Sequence, residues 1–285
     1  MRVEDAGGGR QKSKPVGNLA IRLTTSAVAV PVLLYLLFLA PPAGFIALVF
    51  LASLVAAVEF FTITMPGCRL HQAVGVAATE AVLAAVVYSF YLRMPEILAG
   101  SLMALAVTSM LAGLISVDST GAAASRIAWL LAGPLFLGLL LASLLLLFLR
   151  EQGARWVVLV MTISWFGDTA AYFTGRSIGR IKLYEKVSPK KTVEGALGGL
   201  LGSALAAVLA RFWYLPSLPL GEGVALAAAA GFVGQMGDLG ESLIKRGAGV
   251  KESGFIVPGH GGILDRIDAL LLVSAVVWFY SSFFS

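Results

Sequence analysis

The sequence has little charge, few histidines and almost no cysteine. Only 13% of its 285 residues are Asp, Glu, Lys or Arg, whereas 58% are hydrophobic and the mean hydropathy is +0.89. A soluble domain cannot cover that much apolar surface, but a bilayer removes the need for a polar exterior. The apolar runs are long, rich in Leu, Ala and Val, and lack the alternation of barrel strands. The composition therefore predicts an all-α, polytopic integral membrane protein.

The scarcity of cysteine and histidine excludes two kinds of stabilisation. Cys68 is the single cysteine, so no internal disulfide can form, and with His71 and His260 it makes a poor set of zinc ligands. The first apolar run follows a basic segment, as in a signal peptide, but Pro41 and Pro42 interrupt the small-residue pattern of a cleavage site. We predict that this run is retained as the first membrane span.

Nine segments approach the roughly 20 apolar residues that a helix needs to cross a bilayer. They run approximately over residues 24–39, 45–65, 74–92, 97–115, 127–149, 156–174, 195–214, 223–238 and 263–284. Proline and glycine stand in most of the breaks between them, as turn chemistry predicts. We expect a basic cytoplasmic tail over residues 1–23, disordered to about Lys14, and a single transmembrane domain over residues 24–285.

The distribution of Lys and Arg predicts the orientation of these spans. With the N-terminus in the cytoplasm, 17 of the 21 basic residues fall on the cytoplasmic side, as the positive-inside rule requires. Arg93, Arg150, Arg155 and Arg211 fall outside. Two long polar loops, 175–194 and 239–262, then both face the cytoplasm, where nucleotides are found.

Three aspartates distinguish the C-terminal part of the chain from the rest. Asp238 is expected at the cytoplasmic end of the eighth span, and Asp265 and Asp268 share one face of the last helix. Carboxylates at the edge of the hydrocarbon are costly unless a cation accompanies them. Magnesium is bound by one or two carboxylates together with substrate phosphates. The pattern favours a magnesium site, with an ion-pair cluster between helices as the alternative.

Basic and glycine residues surround these aspartates. Lys245, Arg246, Lys251 and Arg266 are suited to phosphate oxygens, and Gly259, Gly261 and Gly262 allow close backbone approach to a ligand. A helix that begins near Ile263 also offers N–H groups to an anion. This combination favours phosphoryl or nucleotidyl transfer, which needs positioning and charge neutralisation more than an activated side chain. For His260, a loop histidine bonded to backbone stays an alternative.

Three stretches of the C-terminal half resemble the phosphatidate cytidylyltransferase (CDP-diacylglycerol synthase) family. They are 167–176 (Gly-Asp-Thr-Ala-Ala-Tyr-Phe-Thr-Gly-Arg), 188–195 (Ser-Pro-Lys-Lys-Thr-Val-Glu-Gly) and 242–268, which ends in Pro-Gly-His-Gly-Gly-Ile-Leu-Asp-Arg-Ile-Asp. Two positions depart from the family pattern. Val193 stands where the family usually has Trp, and Glu252 stands where it usually has Asp.

The resemblance implies a transferase of phospholipid biosynthesis that joins phosphatidate to CTP, giving CDP-diacylglycerol and pyrophosphate with magnesium as cofactor. Residues 24–285 would then be the catalytic domain. The implied catalytic residues are Asp238, Lys245, Asp265 and Asp268, with Asp238, Asp265 and Asp268 as metal ligands. The implied substrate-binding residues are Asp168, Lys190, Lys191, Glu194, Ser242, Arg246, Lys251, His260, Gly261, Gly262 and Arg266.

The expected partners are CTP, phosphatidate and membrane lipids, without nucleic acid, and a homodimer stays open. The expected location is the inner membrane of a bacterium, with the active site facing the cytoplasm. A CTP-dependent lipid or polyprenol kinase, a cation-coupled transporter and a nonenzymatic scaffold are the alternatives. Glu59 and Glu80, inside predicted spans, are interpreted as structural partners. Gly198, Gly199 and Gly202 are interpreted as sites of tight helix packing.

Overall fold

The computed structural model describes residues 16–115, 119–256 and 261–284, with side chains from Thr25 onward. The ten helices are α1 (Val16–Phe38), α2 (Pro42–Thr64), α3 (Arg69–Leu92), α4 (Pro95–Ile115), α5 (Thr120–Gly133), α6 (Leu140–Phe148), α7 (Gly153–Ile178), α8 (Val193–Trp213), α9 (Leu220–Gly247) and α10 (Leu264–Phe283). Helix α1 begins at Val16, so the tail predicted over 1–23 ends earlier than expected. The stretch predicted to be disordered, up to Lys14, lies outside the described residues.

Seven helices in the described part of the chain are long and apolar enough to cross a membrane. They are α2, α3, α4, the continuous rod Thr120–Phe148, α7, α8 and α10. This confirms the prediction of an all-α, polytopic membrane protein. Helix α9 is not among the seven, and its last three turns carry Asp238, Glu241, Lys245 and Arg246. The apolar stretch Thr25–Phe38 in α1 is shorter than the others.

Prolines mark the starts of helices and one irregular turn. Pro42 and Pro95 are the first residues of α2 and α4, positions where the missing N–H has no helical partner to lose. Inside the rod, Pro134–Leu139 forms a π-helical segment between α5 and α6. A Cβ atom on Gly138 in this segment would lie 2.6 Å from the carbonyl oxygen of Thr79, so glycine is what allows α3 to pack so closely.

The C-terminal helices pack in sequence order, with α7 on α8, α8 on α9, and α9 on α10. Glycines allow α7 and α8 to approach to backbone contact. A Cβ atom on Gly202 would lie 2.5 Å from both the carbonyl oxygen of Phe166 and the Cβ of Ala170, and one on Gly199 would lie 3.1 Å from the carbonyl oxygen of Gly167. The interpretation of Gly198, Gly199 and Gly202 as tight-packing positions is confirmed.

We expect Gly202→Ala to destabilise the protein by about 1–3 kcal/mol, because its methyl group overlaps backbone that cannot move aside. Thermal unfolding in detergent measures the loss. The matched control is Gly100→Ala in α4, where no atom lies within 4 Å of the added Cβ and the melting temperature should not fall. Equal melting temperatures for the two variants would contradict a tight α7–α8 contact.

A short β-hairpin, absent from the prediction, connects α7 to α8. Strand β1 (Lys182–Tyr184) pairs antiparallel with β2 (Ser188–Thr192). Thr192 caps α8, since its Oγ1 accepts a hydrogen bond from the Gly195 N–H at 3.1 Å. The Glu194 carboxylate accepts the Ile181 N–H at 3.2 Å, which fixes the base of the hairpin to α8. The connection between α7 and α8 is therefore shorter than the predicted 175–194 loop, because α7 extends to Ile178 and α8 begins at Val193. Most of the connection is a hairpin.

Helix α9 corrects the second predicted loop, 239–262. It continues for nine residues beyond Asp238 and ends at Gly247. An ion pair between Glu241 and Lys245, spaced i and i+4, and two basic residues in the last turn favour this continuation. As a result, Asp238, Ser242, Lys245 and Arg246 are held by one rigid helix.

Candidate functional site

A cleft of about 460 Å³ lies between α7, the hairpin, α8 and α9. We call it the cleft. Its polar lining residues are Asp168, Tyr172, Arg176, Lys190, Lys191, Thr192, Gln235 and Asp238. Four of these, Asp168, Lys190, Lys191 and Asp238, were predicted as site residues from three separate stretches of sequence. The fold brings them to one cavity.

An ion pair crosses the cleft. Lys191 Nζ lies 2.6 Å from Asp238 Oδ2, and about 30% of each side chain is exposed. Ser242 Oγ, one turn further along α9, donates to Asp238 Oδ1 over a long 3.4 Å. The charge of Asp168 is repelled by Asp238 and attracted by Lys191 and Arg266. The cleft therefore presents acidic and basic groups side by side, as a site for a metal–phosphate ligand requires.

A second group of charges, which we call the buried cluster, lies between α9 and α10. Lys245 Nζ contacts Glu241 Oε2 and Asp265 Oδ1, each at 2.5 Å. Asp265 Oδ2 accepts hydrogen bonds from the backbone N–H groups of Ser253 at 3.0 Å and Gly262 at 2.9 Å. Both oxygens of Asp265 are thus engaged within the protein.

Glu59 of α2 joins the buried cluster from the N-terminal half of the chain. Its carboxylate accepts hydrogen bonds from Ser253 Oγ and from the backbone N–H groups of Ile263 and Leu264. The residue is only 4% exposed. The sequence analysis interpreted Glu59 as a structural partner, and the structure identifies the segment that it holds.

The remaining predicted residues occupy varied positions. Arg246 donates to the carbonyl oxygens of Val250 at 3.0 Å and Val187 at 3.4 Å, which ties the hairpin turn to α9. Lys251 and Arg266 are exposed. Gly261 has φ +83°, a conformation that L side chains rarely adopt. Glu194 braces the hairpin and does not line the cleft, and His260 lies outside the described residues.

The carboxylates of the site can be tested for their fit to a divalent cation. Among residues 16–115, 119–256 and 261–284, no group of three or more His, Cys, Asp or Glu side chains is close enough to hold a metal. The predicted trio of Asp238, Asp265 and Asp268 is therefore not assembled, because Asp265 is bound to Lys245. Asp268, however, lies beside α9 at the position of Asp238, since a Cβ atom on Gly237 would lie 3.1 Å from the Asp268 carbonyl oxygen. Asp238 and Asp268 fit the two-carboxylate pattern that magnesium takes beside substrate phosphates.

Comparison with known proteins identifies the family of this sequence. The sequence matches the cytidylyltransferase family over residues 20–284. The chain belongs to that family. The predicted family resemblance is thereby confirmed over nearly the whole length, including the N-terminal helices in which the sequence analysis found no motif.

Several curated relatives of this cytidylyltransferase-family chain are named phosphatidate cytidylyltransferase. The one from Brucella suis biovar 1 (strain 1330) is 40% identical over 159 residues, which are 55% of this chain and 58% of the relative. The one from Synechocystis sp. is 46% identical over 125 residues (43% and 42%), and the one from Bacillus subtilis (strain 168) is 40% identical over 140 (48% and 51%). The chain spans about half the length of these relatives.

Two residues of α9 in this family member's site were missed as site participants, in addition to Tyr172, Arg176 and Thr192 of the cleft lining. Glu241 lies three residues after Asp238 and four before Lys245, so helical spacing could have revealed it. Gln235, whose Nε2 donates to the Ala196 carbonyl oxygen at 3.1 Å, lies one helical turn before Asp238 and was equally accessible to this reasoning. Glu241 falls in the 239–262 stretch that was predicted as a loop, whereas Gln235 falls in the predicted eighth span, where no role was assigned to it.

Proposed function

We propose that the protein transfers a cytidylyl group from CTP to phosphatidate and releases pyrophosphate. One observation carries the proposal: the cleft joins Lys190 and Lys191 of one motif to Asp168 of another and to Asp238 of α9. Its volume of about 460 Å³ lies within the range of small-ligand sites. Family membership and the names of the relatives agree with this chemistry.

In the proposed reaction, an oxygen of the phosphatidate phosphate forms a bond to the α-phosphorus of CTP. The bond from this phosphorus to the bridging oxygen of the β-phosphate breaks, and the electron pair leaves with pyrophosphate. Because the attacking phosphate is already anionic, no protein general base is assigned. Lys190 and Lys191 bind phosphate oxygens and orient the nucleotide. Tyr172 and Arg176, which also line the cleft, are joined by a hydrogen bond from the Arg176 guanidinium to the Tyr172 hydroxyl oxygen.

Asp238 and Asp268 are the proposed holders of a magnesium ion. When bound, the ion would supply positive charge against the charge that builds on the leaving pyrophosphate. Asp265 and Lys245 are assigned a different role, since they bind each other and the backbone at the start of α10. Together they keep the first turns of α10, and therefore Asp268, beside α9.

We also propose nine membrane spans, with α1 and α9 added to the seven apolar helices, and a cytoplasmic N-terminus. In this arrangement the protein lies in the inner membrane of a bacterium, and the cleft faces the cytoplasm. The distribution of Arg supports this arrangement. In it, 17 of the 21 Lys and Arg residues fall on the cytoplasmic side, as the positive-inside rule requires.

The test uses purified protein in detergent with phosphatidate and CTP labelled either in the α- or the γ-phosphate. The proposal expects the α-label in the lipid product and unlabelled lipid from γ-labelled CTP, with activity lost on magnesium chelation. A CTP-dependent kinase would give the reverse, since it transfers the γ-phosphate and releases CDP. Lipid labelled from γ-CTP, or no labelled lipid from folded protein, would refute the proposed reaction.

We expect Lys191→Met to raise the KM for CTP by about tenfold or more, because a charge-assisted hydrogen bond to phosphate contributes about 1.5–3 kcal/mol. The matched control is Lys186→Met, which removes the same charge from the exposed turn of the same hairpin, outside the cleft. Initial rates at varied CTP concentration measure both variants. A similar KM for the two would contradict nucleotide binding at Lys191.

A further inference from the structure

A buried carboxylate of α2 caps the start of a helix that is about 200 residues away in sequence. Glu59 Oε1 accepts the Ile263 N–H at 3.1 Å, and Oε2 accepts the Leu264 N–H at 2.9 Å and Ser253 Oγ at 3.0 Å. The carboxylate thus has three donors around it. An ionised carboxylate, which only accepts, satisfies all three together.

Helix α10 lacks a cap of its own. Its N-cap residue, Ile263, has no side-chain hydrogen bond to the first turn. The first N–H groups of a helix have no intrahelical partners, and they attract negative charge. In a buried site of a membrane protein, leaving these groups unpaired costs free energy. Glu59 supplies from another helix what the local sequence does not.

Two glycines leave the space that Glu59 occupies. A Cβ atom on Gly254 would lie 2.8 Å from Glu59 Cδ and 3.1 Å from Glu59 Cγ, and one on Gly262 would lie 2.7 Å from Glu59 Cδ. Gly254 has no positive φ, so its backbone does not require glycine. The close approach of Glu59 is the reason that a side chain does not fit there.

Glu59 and Asp265 together fix the segment that leads into α10. Asp265 binds the N–H groups of Ser253 and Gly262, and Glu59 binds the Ser253 hydroxyl and the next two N–H groups, those of Ile263 and Leu264. Ser253 and the residues at the start of α10 are therefore held by the same two carboxylates. None of the Glu59 contacts reaches the cleft.

We propose that Glu59 is a positioning residue for cytidylyl transfer. It holds the first turn of α10 in place, so that Asp265 engages Lys245 and the Asp268 backbone packs against Gly237 of α9, next to Asp238, without touching the substrates. The catalytic part of this inference rests on the proposed function, whereas the anchoring part does not. Nucleotide binding in the cleft should be preserved when Glu59 is lost, while the transfer step should slow.

The first experiment compares Glu59→Ala and Glu59→Gln with Glu80→Ala. Glu80 is a carboxylate on the neighbouring helix α3, and one of its oxygens has no hydrogen-bond partner among the described residues. We expect Glu59→Ala to lower kcat by about 100-fold, the cost of a displacement of about 1 Å, with the KM for CTP changed less than twofold. Glu80→Ala should keep both. A rise in KM without a fall in kcat would overturn the positioning role.

Hydrogen exchange at the amides of Ile263 and Leu264 tests the anchor without any assay of activity. Exchange should be slow in the wild type and in Glu80→Ala, and faster in Glu59→Ala. Glu59→Gln keeps the size of the side chain and should expose one of the two amides, since its NH₂ group cannot accept. Unchanged exchange in both Glu59 variants would overturn the inference. Inactive wild-type protein would refute the proposed function and leave this measurement to decide the anchor.

A double-mutant cycle with Gly254 gives a sharper result. Gly254→Ala should reduce kcat by about tenfold in the wild type, because its methyl group displaces the Glu59 carboxylate, and should have no further effect in Glu59→Ala. Gly247→Ala, which adds a Cβ with no atom within 4 Å, is the control. Additive losses in the cycle would show that Gly254 and Glu59 act independently and would overturn the proposal.

Discussion

Replacing Asp238 by asparagine is expected to lower kcat by about 10³-fold or more, because stabilisation of transition-state charge at a metal site contributes several kcal/mol. Asp238 is the one residue that belongs to both parts of the proposed site. It pairs with Lys191 across the cleft, and its charge acts on Asp168 and Asp268. Turnover at saturating CTP and phosphatidate, repeated over a series of magnesium concentrations, measures the effect.

The control for Asp238→Asn is Glu222→Gln, which makes the same chemical change at a distant place. Glu222 accepts a hydrogen bond from the Tyr280 hydroxyl at 2.6 Å and lines the other cavity, away from the cleft. The Glu222→Gln variant should be as active as the wild type. If Asp238→Asn kept more than about a tenth of the wild-type turnover, the loss would be too small for a metal ligand, and the assignment would fail.

Replacing Lys245 by methionine is expected to destabilise the protein by about 3–5 kcal/mol, the cost of leaving buried charges without their partner. Glu241 is 1% exposed and is paired with Lys245. Asp265 would lose the same partner. The melting temperature in detergent should fall steeply, and transfer activity should fall with it, because the start of α10 loses its support from α9.

A second substitution distinguishes charge from packing in this prediction. Lys245→Met combined with Glu241→Gln removes one of the two abandoned carboxylates, so it should recover part of the lost stability. Lys251→Met is the control, since this exposed lysine should contribute less than about 1 kcal/mol. A double variant no more stable than Lys245→Met would mean that the side-chain volume, and not the charge, was the important property.

The helices were largely predictable because hydrophobicity over 20 residues is a local property of the sequence. A helix lies at each of the nine predicted segments, although only seven are apolar enough to be identified as spans by length and composition. The predicted end of α9 was wrong because the charged residues from Asp238 to Arg246 resemble a polar loop when hydrophobicity is the only criterion for a helix. They form three helical turns supported by the Glu241–Lys245 pair.

Site residues that belong to sequence motifs could be predicted, whereas their tertiary contacts could not. The stretches 167–176 and 188–195 supplied Asp168, Lys190 and Lys191, the end of the predicted eighth span supplied Asp238, and the structure places these four together. Spacing alone could not show that Asp265 binds Lys245, because helical facing says nothing about which helix lies opposite. Glu59 gave no signal for its partners, since they lie 194 to 205 residues further along the chain.

The unbroken length of α9 has a consequence for how a lipid and a nucleotide meet. At 1.5 Å per residue its 28 residues extend about 42 Å, whereas the hydrocarbon of a bilayer is about 30 Å thick. The charged last turns can therefore stand at the depth of the phospholipid headgroups while the first turns remain among acyl chains. A two-tailed substrate could react at its phosphate without being lifted out of its leaflet, and only the nucleotide would have to leave water.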